Sequence, residues 1–143
     1  MISLRRATIR DLERLLELVE AFYTEDQHTF DSAHCRAALV PLLKADTAGC
    51  VWLTEGVAGY VIVTWGYSLE SGGREALIDE IYIAEKNRGY GTLVMQSLLP
   101  LLREHGAKVL FLETELHNHR ARRFYERIGL TADDSIWMAM QLT

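Results

Sequence analysis

The sequence predicts an α/β fold: one domain over residues 1–143, with a mixed, mostly antiparallel central sheet flanked by about four helices. Three observations predict it. Apolar residues recur at a helical period near the start of the chain. The period then gives way to β-rich runs between Cys50 and Ile83. After Gly91, helical and strand patterns alternate again. The 143 residues suffice to bury a core, and no Ser/Gly-rich tract, charge block or repeat divides them.

Ile2 to Ala7 reads as a first strand. Thr8 and Asp11 form a capping box in which Asp stands for the usual Glu. The helix that follows carries Leu12, Leu15, Leu16, Val19 and Phe22 on one face and ends at Glu25-Asp26. Asp31 can cap a second helix through Ala33, Ala37, Ala38, Leu42 and Leu43, which Pro41 should bend or restart. Cys50–Thr54, Ala58–Leu69 and Ala76–Ile83 read as an antiparallel meander, with turns at Glu55-Gly56 and Ser71-Gly72-Gly73. A helix with Leu93, Val94, Ser97, Leu98, Leu101 and Leu102 on one face follows; Pro100 should kink it and Gly106 should stop it. Val109–Glu115 is a strand, Asn118 caps a last helix that ends at Gly129, and Ser135–Leu142 is a last strand.

The net charge of −5 argues against a surface built to grasp nucleic acid. The N-terminus lacks a charged start followed by a long apolar run, so no signal peptide is expected, and no apolar stretch is long enough to span a bilayer. Cys35 and Cys50 are then expected to be reduced thiols, the compartment the cytoplasm, and neither a membrane nor a nucleic acid a partner.

The segment Ile81-Tyr82-Ile83-Ala84-Glu85-Lys86-Asn87-Arg88-Gly89-Tyr90-Gly91-Thr92 runs a strand through a glycine turn into a helix. The free N–H groups of a first helical turn, with the helix dipole, suit an anion. Glycines let the backbone approach phosphate oxygens, and Arg88 adds a fixed charge. A plain turn at a helix start has the same appearance. There is no GxxxxGK[ST], and Val94 breaks a full GxGxxG, so neither a P-loop nor a dinucleotide fingerprint is present.

Lys86-Asn87-Arg88-Gly89-Tyr90-Gly91 resembles the pyrophosphate motif [Q/R]xxGxG[A/G] of the GNAT acetyltransferases, matching at Lys86, Gly89 and Gly91. Lys86 replaces the usual Gln or Arg, and Thr92 the usual small residue. Asn118-x-x-Ala121-x-x-Phe124-Tyr125-x-x-x-Gly129-Leu130 is similar to a second motif of the same family, N-x-x-A-x-x-[L/F]-Y-x-x-x-G-F, with Leu130 for Phe. Order and spacing also agree, and the resemblance covers essentially the whole chain. It implies acetyl-CoA as cosubstrate, held by the turn Arg88, Gly89, Tyr90, Gly91 and Thr92, by backbone of Ile81, Tyr82 and Ile83, and by the Asn118 amide. It implies that Tyr125, a core aromatic on any other reading, protonates the departing thiolate. Arg120, Arg122, Arg123 and Arg127 read as a solvated helix face, with Arg120 and Arg123 as further phosphate candidates.

Transfer to an amine needs a base, because only the neutral amine attacks. Asp79 and Glu80 are the candidates: two adjacent acids in an apolar strand are costly to bury without a purpose. Glu80 is the expected base, directly or through water, with Asp79 as the alternative; ordinary strand-end acids, one paired with Arg74, would look the same. This strand commonly bulges in the resembling family, which leaves the facing of the two acids open. Tyr23, Glu25, Asp26, Phe30, Trp65, Tyr67, Glu70 and Arg74 are the candidates for an acceptor pocket between the first two helices and the loop after Leu69. His117 and His119 lack partners at metal-ligand spacing, so no metal is expected.

The expected reaction is direct acetyl transfer in a ternary complex to a primary amine of a small molecule. The alternatives are transfer to a protein N-terminus or lysine, and a non-catalytic CoA-binding sensor. The apolar residues Trp137, Met138 and Met140 give the last strand a character suited to core or to pairing of two copies as a homodimer.

Overall fold

The continuous apolar run that opens Gly59–Ser68 and the Ile-rich run that follows it, Gly73–Ile83, make the longest hairpin of the molecule, and the rest is arranged around it. The computed structural model describes residues 1–143. Elements follow in the order β1 (Leu4–Arg6), a 3₁₀ turn (Ile9–Asp11), α1 (Leu12–Glu25), α2 (Ser32–Lys44), β2 (Gly49–Thr54), β3 (Gly59–Ser68), β4 (Gly73–Ile83), α3 (Tyr90–Glu104), β5 (Val109–Phe111) and α4 (His119–Ile128). The sheet order is β1-β2-β3-β4-β5. Its first three pairings are antiparallel and β4–β5 is parallel. The fold is the expected mixed, mostly antiparallel sheet with four helices. No helix is long and apolar enough to cross a membrane.

By its internal contacts the chain divides into two compact units, Met1–Leu112 and Glu113–Thr143. In the first, Val51, Leu53, Tyr60, Ile62 and Tyr82 share a sheet face with the buried side of α1 and α2. The opposite face carries Cys50 and Trp52, and Trp52 meets His105, the C-cap of α3, edge to face at 6.0 Å. The helices α1 and α2 therefore cover one face and α3 the other. Both α2 and α3 run unbroken through their prolines, Pro41 and Pro100.

Asp11 accepts from the Thr8 backbone N–H at 2.8 Å and from Arg5 at 3.0 and 3.1 Å, closing the predicted box. Asp31 caps α2 by accepting from the His34 N–H at 3.1 Å. The loop expected after Leu69 is a tight turn, and β4 starts at Gly73, three residues before the predicted Ala76.

Two strand expectations are corrected. The strand predicted over Val109–Glu115 stops at Phe111, because it pairs with β4 only over Glu75–Leu77. The strand predicted over Ser135–Leu142 is absent: residues 130–143 form neither helix nor strand, and Ile136, Trp137, Met138, Met140 and Leu142 are exposed. An alternating apolar pattern becomes a strand only when another strand takes up its backbone hydrogen bonds, and none does so here.

Candidate active site

The decisive local feature is a register slip between β3 and β4. Ile62 pairs with Glu80, but the next residue, Val63, pairs with Ile78, so Asp79 is an extra residue in β4. Ile78 and Glu80 would share a face in a regular strand; the bulge puts them on opposite ones. Glu80 thereby joins Tyr60, Ile62 and Tyr82 beneath α1 and α2, while Asp79 is exposed.

Two phenols hold Glu80. Tyr60, wholly buried on β3, donates to Oε1 at 2.8 Å, and Tyr23, near the end of α1, donates to Oε2 at 2.6 Å. Burial, with the adjacent carboxylate, pushes both phenols well above the usual tyrosine range, so both remain donors. Two clefts meet at this carboxylate. One, of about 320 Å³, is lined by Phe22, Tyr23, Asp26, His28, Thr29 and Glu80. The other, of about 160 Å³, lies between α1 and α2 and is lined in part by Glu80 and, at its rim, Asp79.

Beyond Leu77 no strand pairs with β4 on the β5 side, so Ile78 to Ile83 present an open backbone edge there. That edge leads into the glycine turn. Asn87 (φ 60°) and Gly89 (φ 72°) are both left-handed and frame the exposed Arg88. Gly89 is the N-cap of α3, and a Cβ there would meet nothing within 4 Å. The unpaired donors of the first turn, with the dipole behind them, point out of the helix start.

In the second unit, Asn118 caps α4 by accepting from the Ala121 N–H at 3.1 Å, and left-handed Gly129 ends it. Tyr125 lies seven residues after Asn118, on the same helix face. It is half-buried against Phe124, whose ring centroid is 5.0 Å away, and burial raises its pKa above the ordinary value.

A sequence model of the acetyltransferase (GNAT) family matches residues 12–130, a span that holds both clefts, the turn and α4. The chain belongs to the GNAT family. No curated protein sequence matches it. Among solved structures, it is similar to an integron cassette protein, HFX_CASS3, from the mobile metagenome of Cole Harbour Salt Marsh: TM-score 0.85, 24% identity, 99% of this chain and 91% of that one. A possible acetyltransferase from Clostridium difficile 630 superposes with TM-score 0.87 at 16% identity over 100% and 99% of the two chains. The aminoglycoside acetyltransferase meta-AAC0020 from an uncultured soil metagenomic sample gives 0.75 at 18% identity over 99% and 96%. At these identities the likeness is one of fold. Family and fold together support an acyltransferase.

The GNAT chain distributes the predicted site residues unevenly. Glu80, Asp79, Tyr23 and Asp26 gather at the clefts. Glu25 lines neither; it accepts from the Tyr82 hydroxyl at 3.0 Å and lies 3.4 Å from Lys86 Nζ. Lys86 also sits 4.5 Å above the Tyr82 ring, so this motif lysine is engaged with its own strand. Phe30 packs edge-on against Tyr23 at 6.1 Å. Tyr67 and Glu70 lie at the far end of the β3–β4 hairpin, outside both clefts, and Tyr67 is 79% exposed. Trp65 and Arg74 stack on each other at 4.9 Å, and Trp65 on His105 at 5.3 Å. Arg74 thus pairs with neither Asp79 nor Glu80.

Sequence reasoning missed Tyr60, His28, Thr29, His34 and Cys35. Only Tyr60 left a signal: the single aromatic among aliphatics in Gly59-Tyr60-Val61-Ile62-Val63, two residues from the partner of Glu80. Asp46, Cys50 and His105 bring three metal-ligand types within 4.8 Å of one another. Arg6 already binds Asp46 at 2.6 Å, placing a fixed positive charge on one of the three. Burial pushes the Cys50 thiol up to about 11, away from the thiolate a metal needs.

Proposed function

We propose that this protein is an acetyl-CoA-dependent N-acetyltransferase acting on a primary amine of a small molecule, by direct attack in a ternary complex. The observation that carries the reading is Glu80, a carboxylate fixed by two protonated phenols where two clefts meet. The family match runs through both compact units, which supports reading residues 1–143 as one functional domain.

Acetyl-CoA supplies an acetyl group activated as a thioester. The open edge of β4 at Ile81, Tyr82 and Ile83 suits the amide groups of its pantetheine arm, and the turn from Arg88 to Thr92 suits its pyrophosphate. Glu80 draws the substrate ammonium to the cleft floor and takes its proton, directly or through a water, with Asp79 adding negative potential at the rim. Tyr23 and Tyr60 keep both carboxylate oxygens aimed while this happens. The freed lone pair attacks the thioester carbonyl; the C–N bond forms, the C–S bond breaks, Tyr125 gives its phenol proton to the leaving thiolate, and the second proton shed by the acylated nitrogen passes through water to restore that phenol. The raised pKa of Tyr125 keeps that proton in place at neutral pH. Asn118 orients the first turn of α4 and offers its amide to the cosubstrate.

Thiol release from acetyl-CoA, followed against a panel of amines in the wild type, Glu80→Gln and Tyr125→Phe, tests the reading. Release with one amine class, weakened in both variants, supports it. Acetyl-CoA raising the melting temperature without release toward any amine replaces it with a CoA-binding sensor.

A further inference from the structure

The smaller cleft has a composition that selects among amines. Resting on the acetyl-transfer reading above, we infer that the acceptor is an amphipathic primary amine: one ammonium on a short alkyl chain or a single ring, with its nitrogen at Glu80 and Asp79 and its body between α1 and α2.

The walls are Val19 of α1, Ala38, Leu39 and Leu42 of α2, and Ile62 of β3. Cys35 adds a thiol that burial keeps neutral, which packs as a small apolar group. The charged groups that line it are Glu80, held beneath α1 and α2, and Asp79, exposed at the bulge on its rim. His34 is the one other titratable side chain in the lining besides Tyr23.

This arrangement offers one cation site and an apolar wall. A polyamine would push its second ammonium toward Leu39, Leu42 and Val19, where no carboxylate receives it. An amino sugar would turn hydroxyls onto the same side chains and leave them without partners. The volume, about 160 Å³, is roughly five waters' share of liquid at about 30 Å³ each. That suits one ring or a short chain. Tyr23 forms a wall of both clefts, so its ring divides this apolar seat from the more polar space lined by Asp26, His28 and Thr29.

The test uses the full chain with saturating acetyl-CoA and follows thiol release. Hexylamine and phenethylamine are compared with methylamine, spermidine, glucosamine, kanamycin and a short peptide with a free N-terminus. Ala38→Phe, which fills the cleft from its exposed rim, is run beside the wild type. The expected result is a kcat/KM for hexylamine and phenethylamine at least tenfold above every polar amine. In Ala38→Phe the ratio of hexylamine to methylamine should fall at least tenfold, while the thermal shift given by acetyl-CoA persists and reports an intact fold. Better use of spermidine, glucosamine, kanamycin or the peptide overturns this inference and leaves acetyl transfer standing. An unchanged ratio in Ala38→Phe overturns the seat. No release with any amine, with acetyl-CoA still bound, overturns acetyl transfer and this inference with it.

Discussion

Tyr60 donates its phenol hydrogen to Glu80 across the β3–β4 ladder at 2.8 Å, as a diagonal cross-strand pair. The hydroxyl is wholly buried, so Tyr60→Phe removes a hydrogen bond to a charged acceptor that water does not replace. The expected cost is about 1.5–3 kcal/mol, larger than for Tyr23→Phe, whose ring is half-exposed. Urea unfolding of the two variants measures the difference. The pKa of Tyr60 is raised in the fold, so its contribution is complete below the unfolded value, about 10, and is lost as pH rises toward the folded value. Wild type should therefore lose stability above about pH 10 more steeply than Tyr60→Phe.

Glu80→Gln keeps the shape of the carboxylate but removes the base, and its single amide oxygen can accept from only one of Tyr23 and Tyr60, the amide NH2 turning the other phenol into an acceptor. A drop in kcat/KM of about 10²–10⁴ is expected, with acetyl-CoA binding retained. Asp79→Asn, at the exposed bulge, should cost less than tenfold on the order expected for a rim charge. The reverse order of losses would move the base to Asp79.

Tyr125→Phe should lower kcat by about 10²–10⁴ if thiolate protonation accompanies bond breaking. Because burial raises this phenol's pKa, the proton-donating form persists past the ordinary tyrosine value. The wild-type rate should show no alkaline fall assignable to Tyr125 below about pH 10. A fall near neutrality that disappears in Tyr125→Phe would contradict the assignment.

Gly89→Ala tests the turn. Nothing stands within 4 Å of the new Cβ, so the penalty is conformational: a left-handed φ of 72° at a residue that now carries a side chain. About 1 kcal/mol of stability should be lost, with a weaker acetyl-CoA thermal shift. Gly89→Asn, which tolerates the left-handed region better, should lose less of both.

Asp11→Ala opens the box at Thr8 and frees Arg5. The Arg5 guanidinium holds the Asp11 carboxyl below its usual range, so its contribution is present above the unfolded pKa, about 4, and disappears as pH falls through the folded value. The melting temperatures of wild type and Asp11→Ala should differ at pH 7 and converge as the pH drops below about 4.

The helices were legible because their signals are local. The apolar period from Leu12 to Phe22, the caps Asp31 and Asn118 and the stop Gly129 lie within a turn of what they act on. The two motifs were legible for the same reason: the turn at Gly89 and the run from Asn118 to Tyr125 are continuous segments whose chemistry lies in backbone dihedrals and helix spacing.

Chain composition and periodicity determined the α/β class, the three-strand meander and the acidic pair Asp79-Glu80. Only the tertiary structure decided which acid faces inward, because one extra residue opposite the Ile62/Val63 step inverts the side-chain alternation of β4. It also decided that Tyr23 and Tyr60, 57 and 20 residues from Glu80, are the groups that hold it, and that Tyr67 and Glu70 lie elsewhere. The physical reason is the same throughout. A helix or a turn is written in neighbours a few residues apart, whereas strand register and cavity walls are set by which distant segments satisfy one another's hydrogen bonds and bury one another's apolar surface.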